Sequence, residues 1–239
     1  MKNRIVYLLL IVSMIFNGLL LFLVYDKPNN NKNEHVMILR DFQSMNFSDR
    51  DSLKKVSDNY IVNDNNYLFL GDSITFRYDL KKYYKDLPVV NSGIDGDKVC
   101  DIMDNIKKRV YDYNPSKIFL LIGTNQLKNQ NDEEIFEDII NLVDEIHEHR
   151  KYTNIYVESI YPVNENINNR HTKIRKNSRI RNINSMLKDY YSNSFVKYID
   201  LYSELSDEDG NLKKEYSDDA LHLNDEGYKV VTNVLKNYL

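Results

Sequence analysis

Asp219 and His222, in the stretch SDDALHLNDEG, are separated by two residues, so one short turn can present a carboxylate to one imidazole nitrogen and leave the other facing outward. An imidazole held that way can take a proton from a hydroxyl, while the carboxylate fixes its tautomer and stabilises the imidazolium. A hydroxyl suited to that partner occurs at Ser73, in NYLFLGDSITF. An apolar run stops there at Gly71-Asp72-Ser73 and passes into a helical segment from Ile74 onward. Free backbone N–H groups and the helix dipole at such a start favour negative charge. Taken singly, each stretch has a plainer reading. Ser73 serves as an N-cap, and a lone Asp-x-x-His is a surface pair ahead of a helix capped at Asn224 or Asp225.

Two further stretches carry donors suited to a developing oxyanion. In VVNSGIDGDKV, Gly93 and Gly96 fit a tight turn, and a glycine also lets its N–H approach a ligand without side-chain interference. In IFLLIGTNQL, Gly123 permits a sharp exit from an apolar run and Asn125 presents a side-chain amide. Turn chemistry alone also accounts for an Asn after a Gly.

These four stretches must be positioned by a common frame. From Tyr67 onward short apolar runs alternate with amphipathic segments, the pattern of βαβ units in a mostly parallel sheet. The expected strands are Tyr67 to Leu70, Pro88 to Asn91, Lys117 to Ile122, Asn154 to Ile160 and Phe195 to Ile199. Helical spacing of apolar residues marks Asp132 to Arg150, Ile180 to Tyr191 and Asp225 to Tyr238. Five strands with helices on both faces make an α/β three-layer sandwich, and in such open sheets chemistry gathers at the carboxyl ends of the strands. Three of the four stretches fall there, and the fourth precedes the last helix.

The ordered set GDS at 71–73, NxGxxG at 91–96, GxN at 123–125 and DxxH at 219–222 resembles the four blocks of the SGNH/GDSL hydrolase superfamily, over residues 66–239. The resemblance implies a flavodoxin-like α/β/α fold and a serine esterase or acylhydrolase. It also implies Ser73 as nucleophile, His222 as general base and Asp219 as its partner. The Ser73 N–H, the Gly93 N–H and the Asn125 side chain would form the oxyanion hole. No cofactor and no metal are implied. Two departures stand out. Ile74 replaces the Leu of the family name, and Gln126 follows Asn125 where many members have Asp, which predicts a less firmly braced loop.

The remainder of the chain bounds the setting. With 42% hydrophobic and 28% charged residues and a net charge of −4, neither disorder nor a nucleic-acid surface is indicated. One cysteine, Cys100, excludes an internal disulfide. Ile5 to Tyr25 carry no charge and as a helix would extend about 31 Å, enough to span a bilayer. Lys2 and Arg4 at its near end favour a cytoplasmic N-terminus. Residues 1–25 therefore read as a membrane anchor, 26–65 as a linker, stalk or N-terminal extension, and 66–239 as the hydrolase domain outside the cytoplasm.

The expected activity is removal of an acyl group, foremost acetyl, from a cell-envelope carbohydrate or similar ester. An O-acyltransferase acting on an extracytoplasmic glycan and a lysophospholipase are the competing activities, and a binding module is the non-enzymatic one. Residues 162–181 carry Arg170, Lys173, Arg175, Lys176, Arg179 and Arg181, either as a solvated loop and helix start or as a flap for anionic substrates. His35, His147, His149 and His171 are expected on the surface, away from any site.

Overall fold

The computed structural model describes residues 66–239. The expected anchor at 1–25, the linker or stalk at 26–65 and His35 lie outside the described residues. Among the described residues no helix is long and apolar enough to cross a membrane.

Five strands form one sheet: β1 (Tyr67–Gly71), β2 (Val89–Gly93), β3 (Lys117–Leu121), β4 (Asn154–Glu158) and β5 (Lys197–Ile199). Their order is β2-β1-β3-β4-β5 and every neighbouring pair is parallel. This is the flavodoxin-like winding. The chain turns outward from β1 to β2, then returns past β1 to β3, leaving a crevice beyond the carboxyl ends of β1 and β3.

Strand residues alternate between the two faces. One face carries an aromatic ladder in register: Phe69 stacks on Phe119 at 4.9 Å and Phe119 on Tyr156 at 4.8 Å. Phe69 also meets Tyr84 of helix α2 (Leu80–Tyr84) and Tyr78 of the loop before it. Tyr78 in turn stacks on Tyr228 of the C-terminal helix, Asp225–Leu235. The opposite face presents Leu68, Leu70, Ile118, Leu120, Ile155 and Val157, all buried.

Helices α3 (Val99–Asp104), α5 (Asp132–His149) and α6 (Asn177–Tyr191) cover that face, with α5 packed against both others. The short helix α4 (Ile106–Arg109) follows α3. Helix α5 begins with a reciprocal capping box, in which the Glu134 N–H donates to Asn131 Oδ1 and the Asn131 N–H to Glu134 Oε2. Helix α7 (Tyr202–Leu205) follows β5, and the C-terminal helix is α8. The expected strands and long helices recur within a few residues of their observed bounds.

Candidate active site

Strand β1 delivers Gly71, then Asp72, then Ser73 as the first residue of the four-residue helix α1 (Ser73–Phe76). The cap is Asp72, whose Oδ1 accepts the Ile74 N–H at 2.9 Å, so the Ser73 hydroxyl is not consumed in capping. So short a helix needs outside support. Tyr228 of α8 donates its hydroxyl to the Ile74 carbonyl at 2.7 Å. Asn91 of β2 donates from Nδ2 to the Thr75 and Tyr78 carbonyls at 2.7 and 3.0 Å. Burial pushes the Asp72 carboxyl up to about 7, against the pull of the Ile74 N–H and the nearby Arg175 charge.

Ser73 Oγ lies 2.9 Å from His222 Nε2, and His222 Nδ1 lies 2.6 Å from Asp219 Oδ2. The other carboxylate oxygen of Asp219 accepts the Leu221 and His222 N–H groups at 3.0 and 2.8 Å. Burial alone would raise the Asp219 carboxyl, but the hydrogen bonds from the His222 ring and these two amides overcome it and bring it to about 2. An ionised carboxylate beside Nδ1 requires that nitrogen to carry the proton. Nε2 then presents its lone pair to the Ser73 hydroxyl. The turn between the two residues places Ala220, fully buried, at φ 72°, a left-handed conformation rare outside glycine. It is held by the Asn164 N–H, which donates to the Ala220 carbonyl at 3.0 Å, and by Asn169 Nδ2, which donates to the Asp219 carbonyl at 2.8 Å.

The expected donors divide differently. The Ser73 N–H, at the first position of α1, has no backbone partner within the helix. Gly93 does not offer its N–H to the site. That N–H donates to Asn91 Oδ1 at 2.9 Å, and a Cβ on Gly93 would lie 2.2 Å from the Phe76 nitrogen. Gly93 is thus the residue that lets β2 close onto α1. Three residues on, Gly96 has φ 83° and open space where a Cβ would be, and its N–H makes no hydrogen bond among the described residues. Asn125 is tied to the loop that carries Gly96. Its Nδ2 donates to the Asp97 carbonyl at 2.9 Å and its Oδ1 accepts from Arg175 Nη2 at 2.9 Å. The loop carrying Gly96 is tied down in turn by the buried Arg109, which pairs with Asp97 and donates from Nε to Ser92 Oγ at 3.1 Å.

The loop expected to be loosened by Gln126 is firmly braced. Gln126 is buried, accepts the Val99 N–H on Oε1 at 3.2 Å, and donates from Nε2 to Asp138 Oδ2 at 2.8 Å. Asp138, on α5, supplies from a distance the carboxylate that position 126 lacks.

The basic segment is not one solvated face. Arg175 is buried, Arg179 pairs with Asp132 at 2.6 Å, Lys176 with Glu165 at 3.1 Å, and Arg181 donates to the Tyr202 hydroxyl at 3.2 Å. Arg170, Lys173, Lys176 and Arg181 are exposed.

His171, expected to be isolated, is half-buried with its ring edge-on to His222 at 5.6 Å between centroids and its Nε2 3.9 Å from Asp219 Oδ2. No local pattern announces this, because the contact exists only once the 164–176 segment folds back over the Asp219 turn. Burial moves the His171 ring toward its neutral form, with Asp219 acting in the opposite sense. His171, Asp219 and His222 bring ligand-type atoms within 4.8 Å of one another. Two of those atoms are already committed: Asp219 Oδ2 to His222 Nδ1, and His171 Nε2 to the Arg170 guanidinium at 3.4 Å. His147 is also half-buried, stacked on Phe195 at 3.8 Å, whereas His149 is exposed as expected.

A model of the GDSL-like Lipase/Acylhydrolase family matches residues 69–230. Among solved structures the chain is similar to a Streptococcus pneumonia protein provisionally described as a platelet activating factor, with 33% identity and a TM-score of 0.69 over 74% of this chain and 85% of that one. It shares its fold with a GDSL-like lipase from Bacteroides thetaiotaomicron VPI-5482, at 17% identity and a TM-score of 0.66 over 77% and 95% of the two chains. It also shares it with a catalytic mutant of an acetylxylan esterase from Geobacillus stearothermophilus, at 17% identity and 0.57 over 72% and 93%. An N-acylneuraminate cytidylyltransferase from Escherichia coli O18:K1:H7 (strain RS218 / NMEC) is 30% identical over 167 residues, 69% of this chain. The match spans only 38% of that relative's length. With the family match running from β1 into α8 and enclosing Ser73, Asn125, Asp219 and His222, this chain belongs to the GDSL-like lipase/acylhydrolase family, hydrolases of ester bonds.

Proposed function

We propose that the chain is a membrane-anchored serine esterase that removes an acyl group, in the first place acetyl, from a cell-envelope carbohydrate. The observation that carries the reading is the line Ser73 Oγ to His222 Nε2 at 2.9 Å and His222 Nδ1 to Asp219 Oδ2 at 2.6 Å. His222 takes the Ser73 proton as Oγ attacks the ester carbonyl, and the imidazolium is stabilised by ionised Asp219. The tetrahedral oxyanion is received by the Ser73 N–H, the free hydrogen of Asn125 Nδ2 and the Gly96 N–H, which replaces the expected Gly93. His222 then gives its proton to the departing alkoxide. A water, deprotonated by the same imidazole, releases the carboxylic acid and restores Ser73.

The acetyl preference is supported by the fold shared with an acetylxylan esterase. The uncharged run Ile5 to Tyr25, behind Lys2 and Arg4, supports an anchor with the catalytic domain outside the cytoplasm. The test is hydrolysis of p-nitrophenyl acetate and of acetylated oligosaccharides by the full-length chain, with fluorophosphonate labelling. Ser73→Ala should abolish hydrolysis and labelling together. Activity that survives the substitution would remove Ser73 from its role, and failure to release acetate from any oligosaccharide would remove the carbohydrate substrate.

A further inference from the structure

We propose that Arg175 is a positioning residue for the oxyanion donor Asn125, a role that rests on the reading of Asn125 given above. Arg175 lies 50 residues from Asn125 in sequence, just ahead of α6, and its guanidinium is buried. Three of its contacts are local to the site: Nη2 to Asn125 Oδ1 at 2.9 Å, Nε to Thr124 Oγ1 at 3.1 Å and Nη1 to the His171 carbonyl at 3.4 Å.

An asparagine amide has two ends of opposite polarity and nearly equal shape, so a donor role requires something to decide which end faces the substrate. Here both ends are fixed. The guanidinium accepts no hydrogen bond and can only face the carbonyl oxygen, and the Asp97 carbonyl can only face the NH2. A flipped amide would set NH2 against a cation and oxygen against oxygen. With both contacts satisfied, the second Nδ2 hydrogen is left for the oxyanion. The bond from a cation is also charge-assisted, and it polarises the amide so that its N–H groups donate more strongly. Arg175 thus acts on the transition state through Asn125 without touching the substrate.

A double-mutant cycle in the full-length chain, read by kcat and KM on p-nitrophenyl acetate, tests this. Asn125→Ala should lower kcat by ~10²–10³, the usual loss for one oxyanion donor. Arg175→Met should lower kcat by about 10² with KM within about twofold, since the interaction is made in the transition state. The double variant should be no slower than Asn125→Ala alone, because groups acting as one unit are not additive. Losses that multiply, or a fall that lies in KM, overturn the proposal while leaving Asn125 as donor. Full activity in Asn125→Ala overturns the donor reading and this inference with it. Arg175→Lys retains a buried cation without the fork and covers the case in which the methionine variant fails to fold. It should melt like the wild type and lose at least tenfold in kcat, and an unchanged kcat there refutes the positioning role.

Discussion

Replacing Asp219 by Asn isolates the electrostatic part of the proposed mechanism, because the structure indicates what survives. Asp219 Oδ1 accepts the Leu221 and His222 amides, and an asparagine oxygen can keep both bonds, so the turn should persist. Oδ2 is different. It accepts the His222 Nδ1 proton at 2.6 Å, and an amide NH2 in its place donates instead. Nδ1 must then become the acceptor, the proton moves to Nε2, and the imidazole faces Ser73 Oγ with an N–H rather than a lone pair. A general base in the wrong tautomer is worth about 10⁴ in kcat, or about 5 kcal/mol of activation free energy.

The assay is p-nitrophenyl acetate turnover across pH, with a melting curve to establish that the variant is folded. Because Asp219 is held at about 2, its carboxylate stays ionised in the wild type between roughly pH 4 and 8, so the comparison isolates the exchange of carboxylate for amide. A folded Asp219→Asn protein losing less than tenfold would refute the reasoning.

Gly93→Ala and Gly96→Ala should separate the two glycines. The first drives a Cβ into the Phe76 backbone and should destabilise by about 3 kcal/mol or more, measured by urea unfolding. The second, in open space at φ 83°, should cost only about 1 kcal/mol of backbone strain. Buried Glu158 is pushed by desolvation up to about 7, with the Tyr161 hydroxyl acting against it. A carboxyl raised in the folded state binds a proton that the unfolded chain has lost. Stability should therefore fall as pH rises from about 4.5 to 7, by on the order of 3 kcal/mol. Glu158→Gln should show a fall smaller by that amount, buried Asp72 still contributing one of its own, so equal pH dependence in the two proteins would exclude Glu158 as a source.

The strand ends were legible because each block of chemistry sits where an apolar run stops, and period and composition locate such stops well. Ser73 and His222, and His222 and Asp219, accordingly lie within hydrogen-bond distance, and Asn125 is bonded to Asp97 of the loop that carries Gly96. What the sequence left open depends on single side chains that fold back from elsewhere. Gly93 and Gly96 look equivalent until Asn91 Oδ1 claims the Gly93 N–H. Gln126 looks like a weakened brace until Asp138 arrives from α5. Arg175 reads as one of six solvated cations, and His171 as an isolated histidine, until the segment after β4 closes over the Asp219 turn. The Asn91 bond to Gly93 is local, but the other contacts each span more than ten residues of chain, beyond the reach of local pattern.

Ala220, left-handed and fully buried, makes the histidine's aim a property of the whole domain. Cut out as a peptide, residues 217–224 would uncoil toward an ordinary right-handed or extended backbone, and the ring would swing away from its carboxylate. A designer transplanting this loop onto another scaffold would therefore have to carry across Asn164 and Asn169 as well, since those two residues hold the coil closed.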